Sequence, residues 1–122
     1  MAKKVLIVDD SSTILLMEKL ALKKTPYEVI SASNGEEAVA RALKERPDLI
    51  LMDVVMPKMN GFEACRRLRA EEATRDTPVI LVTTRGEPDN VEAGYESGCS
   101  DYITKPIDTL ELLAKVRDHL DS

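Results

Sequence analysis

Five short apolar runs, each followed by a stretch of helical length, leave few folds open to this chain. The runs are VLIV (5–8), EVISA (28–32), LILM (49–52), VILV (79–82) and YIT (102–104). Four of them lack the polar alternation of a strand with one wet face, the pattern of parallel strands covered on both sides. The intervening segments carry helix punctuation. SSTILLMEKLALKK (11–24) opens on serine caps, and NGEEAVARALKE (34–45) has acids in its first turn and Pro47 just beyond its end. GFEACRRLRAEE (61–72) and TLELLAKVRDHL (109–120) are amphipathic, the second capped by Thr109 or Asp108. EPDNVEAGYESG (87–98) is the weak one, because Gly94 inside it costs about 1 kcal/mol relative to alanine. Strand and helix repeated five times mean parallel strands, right-handed crossovers and helices on both faces. The expectation is a doubly wound α/β fold forming one domain over residues 1–122.

Bulk properties narrow the function. Net charge is −5, and acids and bases are mixed along the chain. A direct nucleic-acid or anionic-membrane partner needs a basic face, so neither is expected. No apolar run reaches membrane-span length, and two acids interrupt the apolar start MAKKVLIVDD, which is therefore not a signal peptide. Cys65 and Cys99 form no CxxC pair and read as reduced thiols of a cytoplasmic protein. With no tryptophan, the core must be aliphatic.

The segment DLILMDVVMPKMNG (48–61) delivers a single acid, Asp53, at the end of a buried run. An isolated ionised carboxylate is costly to desolvate, so either water or a positive charge must meet it. What lies past the other strands supplies the answer. The first is followed by Asp9-Asp10, the fourth by Thr83-Thr84 and the fifth by Lys105-Pro106. In a doubly wound sheet these carboxyl ends share one rim, and ligands bind where the winding reverses. Three carboxylates, a hydroxyl and an ammonium would converge there. Such a set suits Mg²⁺, which keeps part of its water and takes oxygen ligands. Asp53 can keep one oxygen on the metal and direct the other at phosphorus, giving an acyl phosphate. Lys105 and the metal would neutralise the phosphoryl oxygens, and Thr83 would donate a hydrogen bond to them.

VLIVDDS, DLILMDVVMPKMNGFE, VILVTT and GCSDYITKPID together resemble the four signature blocks of bacterial two-component response-regulator receiver domains, the CheY-like superfamily. The likeness spans essentially the whole chain in order and spacing. It implies a flavodoxin-like sheet of order 2-1-3-4-5, with Asp53 accepting a phosphoryl group from a sensor histidine kinase or a phosphotransfer protein. It also implies that Asp10 binds Mg²⁺ directly, Asp9 largely through water, and the Val55 backbone carbonyl supplies a further ligand. Thr83 and Lys105 would contact the phosphoryl group, Tyr102 would change rotamer on activation, and the Lys105-Pro106 bond would be cis. A downstream output protein or domain would read the change. The only catalysis expected is the domain's own phosphorylation and dephosphorylation.

Each residue has a plainer reading: Asp9-Asp10 as a helix cap, Asp53 as a turn acid, Thr83 as a strand residue, Lys105 as a solvated loop lysine, Tyr102 as edge packing. All must hold together for the site to be absent. His119 reads as a surface residue near a helix C-terminus and Cys65 as core filler. In the first helix, Ile14, Met17 and Ala21, joined by Leu22, form one stripe. If it faces the sheet, Leu16 and Leu20 are left outward as a docking patch for the phosphodonor; in another register they are core. The Val55 side chain cannot hold a water and Arg85 is long and basic where a water-orienting carboxylate or amide could have stood, which implies slow autodephosphorylation; Thr84 is bulky enough to narrow phosphodonor access. The weak fourth helix is a candidate bistable element. Rival readings fare less well. A haloacid-dehalogenase-type phosphatase wants an acid at position 55, and a nucleotide carrier wants a glycine-rich loop after the first strand. A degenerate receiver acting as a pure binding module would not keep every key residue. Whether the domain stands alone or belongs to a longer diguanylate cyclase, transcription factor or hybrid kinase is left open.

Overall fold

A computed structural model of the chain describes residues 2–56, 58–84 and 88–121. Strand and helix alternate as expected: β1 (Lys4–Val8), α1 (Ser12–Leu22), β2 (Glu28–Ala32), α2 (Gly35–Glu45), β3 (Leu49–Asp53), α3 (Gly61–Ala70), β4 (Val79–Thr84), α4 (Pro88–Glu96), β5 (Asp101–Lys105) and α5 (Thr109–Leu120). All four pairings are parallel and the order is β2-β1-β3-β4-β5. The winding therefore reverses between β1 and β3, which places the ends of those two strands at the switch point.

Successive strand residues feed two separate cores, as the alternation of side chains across a sheet requires. Leu6, Val8, Ile50 and Met52 pack with Ala38, Ala42, Ala64 and Leu68 beneath α2 and α3. Val5, Ile7, Leu49 and Leu51 pack with Leu22, Leu112 and Val116 beneath α1 and α5. Every residue of Leu49–Met52 is fully buried, which explains why that run shows no polar alternation.

Side chains close the helix starts. Ser11 Oγ accepts from the Ile14 amide at 3.3 Å, and Asn34 and Asn60 accept from the Glu37 and Glu63 amides, each at 2.9 Å. At α5 the cap is Asp108, which accepts from the Leu110 and Glu111 amides. Arg69, at the end of α3, reaches out of its helix. Its guanidinium donates to the Gly98 carbonyl at 2.8 Å and the Thr77 carbonyl at 2.6 Å, tying the α3–β4 loop to the turn after α4.

Three expectations are refined. The sheet-facing row of α1 runs through Glu18, Ala21 and Leu22, with Leu15 packed against the same core, while Met17 is 47% exposed. Placing Met17 inside was wrong because the row follows positions 15, 18 and 22, and its middle member is an acid. Leu16 and Leu20 do face outward, both 56% exposed. Gly94 packs closely: a Cβ there would lie 3.2 Å from Leu81 Cδ1 and 3.4 Å from Cys99 Sγ. His119 is half-buried, its Nε2 lying 3.4 Å from Asp101 Oδ2. Cys65 and Cys99 are free and buried, and burial pushes the Cys99 thiol up to about 11, so both are inert core residues. Arg85 and the side chain of Thr84 lie outside the described residues.

Candidate functional site

Asp9 and Asp53 continue the alternation of β1 and β3 onto the α1/α5 side of the sheet, and Lys105 does the same from β5. Asp9 is held by its neighbours. Its amide donates to the Ala32 carbonyl at 3.2 Å, extending the strand ladder, and its Oδ1 accepts from the Ser11 amide at 2.9 Å. Asp53 is held from the other side by α3. A Cβ on Gly61 would come within 2.5 Å of the Asp53 carbonyl oxygen and 2.9 Å of Val54 Cα. Only a residue without a side chain lets the start of α3 approach the acid so closely.

The rim brings the expected charges together. Lys105 Nζ lies 3.2 Å from Asp53 Oδ1 and 3.7 Å from Asp9 Oδ2. Asp9, Asp10 and Asp53 each place a carboxylate oxygen within 4.8 Å of the others. Asp9 and Asp53 are only 2% and 4% exposed, whereas Asp10 is open to solvent. Burial raises the pKa of Asp53, repulsion from Asp9 adds to it, and Lys105 opposes both. Burial likewise raises Asp9, against the Ser11 amide and Lys105. For Lys105, burial pulls downward, but attraction to Asp53, Asp9 and Asp10 wins and its pKa is raised. Burial thus disfavours the charge of Asp9 and Asp53 more than one ammonium relieves, and the donor set of the three acids is all oxygen. Both properties fit a hard divalent cation with part of its water shell retained.

Thr83 is the next-to-last residue of β4, 2% exposed, and its Oγ1 is buried with no hydrogen-bond partner among the described residues. A hydroxyl left unmatched at a rim is suited to a ligand that brings an acceptor. Val55 stands two residues past Asp53 with its side chain 68% exposed. The Lys105-Pro106 peptide bond is cis.

Tyr102 is the second residue of the edge strand β5, paired in register with Leu81. Its ring meets Tyr95 edge-on, with centroids 5.9 Å apart, and Lys115 Nζ sits 5.1 Å from its centroid. Lys115 is itself fixed by Asp101 Oδ1 at 3.1 Å and the Tyr102 carbonyl at 2.6 Å. The sequence reading missed Tyr95 and Lys115 as neighbours of this ring. It also missed Glu18, a 1%-exposed acid on α1. The available signal was position: Glu18 stands between Leu15 and Leu22 on the apolar row.

Comparison with known proteins agrees with this geometry. The response regulator receiver domain family matches residues 5–117. The phosphate regulon transcriptional regulatory protein PhoB of Pseudomonas aeruginosa is 44% identical over 115 residues, covering 94% of this chain and 50% of PhoB. Protein PilH of the same organism is 42% identical over 113 residues, covering 93% of each. The chain thus spans about half the length of PhoB and similar transcriptional regulators, and nearly all of PilH. Among solved structures, the receiver domain of sensor histidine kinase PA1611 from Pseudomonas aeruginosa superposes with a TM-score of 0.92 at 30% identity over the full length of both chains, and carries a magnesium ion in its active-site cleft. Among the described residues, no helix is long and apolar enough to cross a membrane. Five parallel strands in the order 2-1-3-4-5, an acidic rim at the switch point and a sequence match over almost every residue have one common explanation: the chain belongs to the response regulator receiver domains of two-component signalling.

Proposed function

We propose that this domain, spanning residues 1–122, accepts a phosphoryl group on Asp53 from a histidine kinase or phosphotransfer protein and changes its binding to an output protein or domain in response. The observation that carries the reading is Lys105 Nζ at 3.2 Å from Asp53 Oδ1, inside a cluster of three carboxylates. An Asp53 oxygen attacks phosphorus, the phosphorus–nitrogen bond to the donor imidazole breaks, and its electron pair stays on that nitrogen. Asp53 becomes an acyl phosphate, and hydrolysis by water returns the carboxylate and inorganic phosphate. Lys105 leaves the carboxylates to neutralise the transferring oxygens, and Thr83 Oγ1 donates to one of them. Mg²⁺ would be held by Asp10, Asp53 and the Val55 carbonyl, with Asp9 acting through water, and would supply the remaining charge neutralisation. Tyr102 then gives up its contacts with Tyr95 and Lys115 as the hydroxyl of Thr83 turns inward.

The test is intact-mass spectrometry after incubation with Mg²⁺ and a small acyl phosphate. One phosphoryl group is expected on the wild type and none on Asp53→Asn. Failure of the wild type to load, or loading of the asparagine variant at another residue, overturns the reading. Because Val55 presents no polar group to an attacking water, the acyl phosphate is expected to decay over minutes or longer; loss within seconds, followed by mass, removes that part.

The phosphodonor's surface is assigned to the outward face of α1. Leu16, Met17 and Leu20 form an exposed apolar patch beside the rim, and a groove of about 290 Å³ runs from Met17 and Leu20 past Lys24 to Thr109. A helical donor with an apolar stripe matches it. No direct nucleic-acid or membrane contact is assigned, in keeping with the net charge of −5, and the proposed setting is the cytoplasm. The half-length coverage of PhoB-like relatives makes a longer regulator as natural a context as a single domain.

A further inference from the structure

β5 closes one side of the sheet, and an edge strand presents backbone groups that no neighbouring strand can pair. At Tyr102 side chains take those groups. The Tyr102 amide donates to Asp101 Oδ1 at 2.8 Å, and the Tyr102 carbonyl accepts from Lys115 Nζ at 2.6 Å. Lys115 Nζ is also 3.1 Å from the same Asp101 oxygen, while Asp101 Oδ2 faces His119 Nε2 at 3.4 Å. A carboxylate and an ammonium are thus fixed against the backbone of a single residue.

Covering the edge requires no more than that. The arrangement goes further, because the fixed ammonium lies 5.1 Å from the centroid of the Tyr102 ring, within range of cation–π attraction. A lysine loose in solvent would lose side-chain entropy in holding such a contact. Here the bonds to Asp101 and to the Tyr102 carbonyl offset that loss. The backbone bonds and the ring contact differ in what survives when the Tyr102 side chain rotates. The amide and carbonyl stay in place, so Asp101 and Lys115 keep their positions. The ring departs, and with it go the attraction to the ammonium and the edge-on contact with Tyr95 at 5.9 Å. Lys115 therefore stabilises one rotamer of Tyr102 over any other.

We propose that Lys115, held by Asp101 and the Tyr102 carbonyl, is a positioning residue that keeps Tyr102 in the rotamer meeting Tyr95 and thereby lowers the fraction of unphosphorylated domain in the activated form. The inference rests on the function proposed above and concerns the regulation of that same site. A mimic of the phosphoryl group binds the activated form, so its apparent affinity follows the fraction of the protein already in that form.

The experiment measures Mg²⁺-dependent beryllofluoride binding by calorimetry for wild type, Lys115→Met, Lys115→Arg, Tyr102→Leu and the double variant Lys115→Met/Tyr102→Leu, with thermal melting of the ligand-free proteins as a check of folding. Lys115→Met removes the charge and is expected to bind beryllofluoride about threefold more tightly than the wild type. Lys115→Arg keeps a cation over the ring and is expected to bind like the wild type. With Tyr102→Leu there is no ring to hold, so adding Lys115→Met should change the affinity no further, a result that loss of edge covering alone would not produce. Lys115→Gln repeats the removal if Lys115→Met melts early. The proposal is overturned if removing the lysine charge gives no tighter binding, if Lys115→Arg gains as much as Lys115→Met, or if the gain persists in the Tyr102→Leu background. Failure of the wild type itself to bind beryllofluoride strikes at the phosphoacceptor assignment instead, so the two failures are distinguishable.

Discussion

The two ends of the rim are built to different standards. At β1 and β3, Asp9 and Asp53 are almost fully buried, the Asp9 amide is bonded to the Ala32 carbonyl, and Gly61 presses α3 against the Asp53 carbonyl. At β5 the strand is only half-buried, and Tyr102 is held by one edge-on ring and one ammonium. Contacts of that second kind are worth about 0.5–1.5 kcal/mol each. On the function proposed above, the first end would present oxygens to phosphorus and the second would let go once the first is charged. The single strand β4 lies between β3 and β5.

The largest test of that contrast is pH. Burial raises Glu18 from 4.5 to about 8, so the folded chain holds a proton that the unfolded chain releases between those values. A raised carboxyl contributes stability that is complete below the unfolded pKa and is lost as pH rises through the folded one. Chemical denaturation in the absence of divalent ions should therefore show the protein gaining stability from pH 8 down to pH 5, by about 4 kcal/mol at most. Asp9 and Asp53, also raised, act in the same direction. Glu18→Gln should flatten most of the slope; an unchanged slope would mean that the rim is wetter than its burial implies.

Next in size is Gly61→Ala. The new Cβ meets the backbone of Asp53 and Val54, which cannot move away as a flexible side chain would, and a loss of about 3 kcal/mol is expected in urea unfolding, with slower loading of Asp53. A tolerated alanine would show the rim to be as yielding as the β5 edge. Leu16→Glu, on the surface beside the rim, should leave folding intact and slow transfer from a histidine-phosphorylated donor about tenfold, without slowing uptake from a small acyl phosphate. Equal loss with both donors would point to damage within the fold. Smallest is Gly94→Ala on the yielding side. Alanine gains about 1 kcal/mol of helix propensity, while the Leu81 methyl at 3.2 Å has to shift, so net stability should change by less than about 1 kcal/mol. What should change is the fraction of the domain in the activated form at a given beryllofluoride concentration; no change there removes α4 from the switching element.

Much of this was legible in the chain itself, for physical reasons that vary from residue to residue. Runs such as Leu49–Met52 are apolar on both faces because both faces are covered, and that pattern belongs to few folds. Asp9, Asp53, Thr83 and Lys105 could be placed on one rim because parallel strands all end on the same side. The register of α1 was not legible, because a charged residue reads by default as an outward one and Glu18 breaks that rule. Nor were the neighbours of Tyr102. Tyr95 and Lys115 come from two different helices, and no local pattern announces a contact made across a sheet edge. The helix caps fall between these cases: Asn34 and Asn60 stand where helix starts call for them, but Thr109 against Asp108 needed coordinates.

The reach of Arg69 across to the Gly98 carbonyl has a mechanical corollary. It staples the far end of α4, and Ser97 adds a bond from its hydroxyl to the Gly94 carbonyl. The near end, at Pro88, follows the strand that carries Thr83. A helix pinned at one end and pushed at the other swings like a door about its hinge. On the function proposed above, displacement would be widest next to the Asp53 edge and die away toward Gly98.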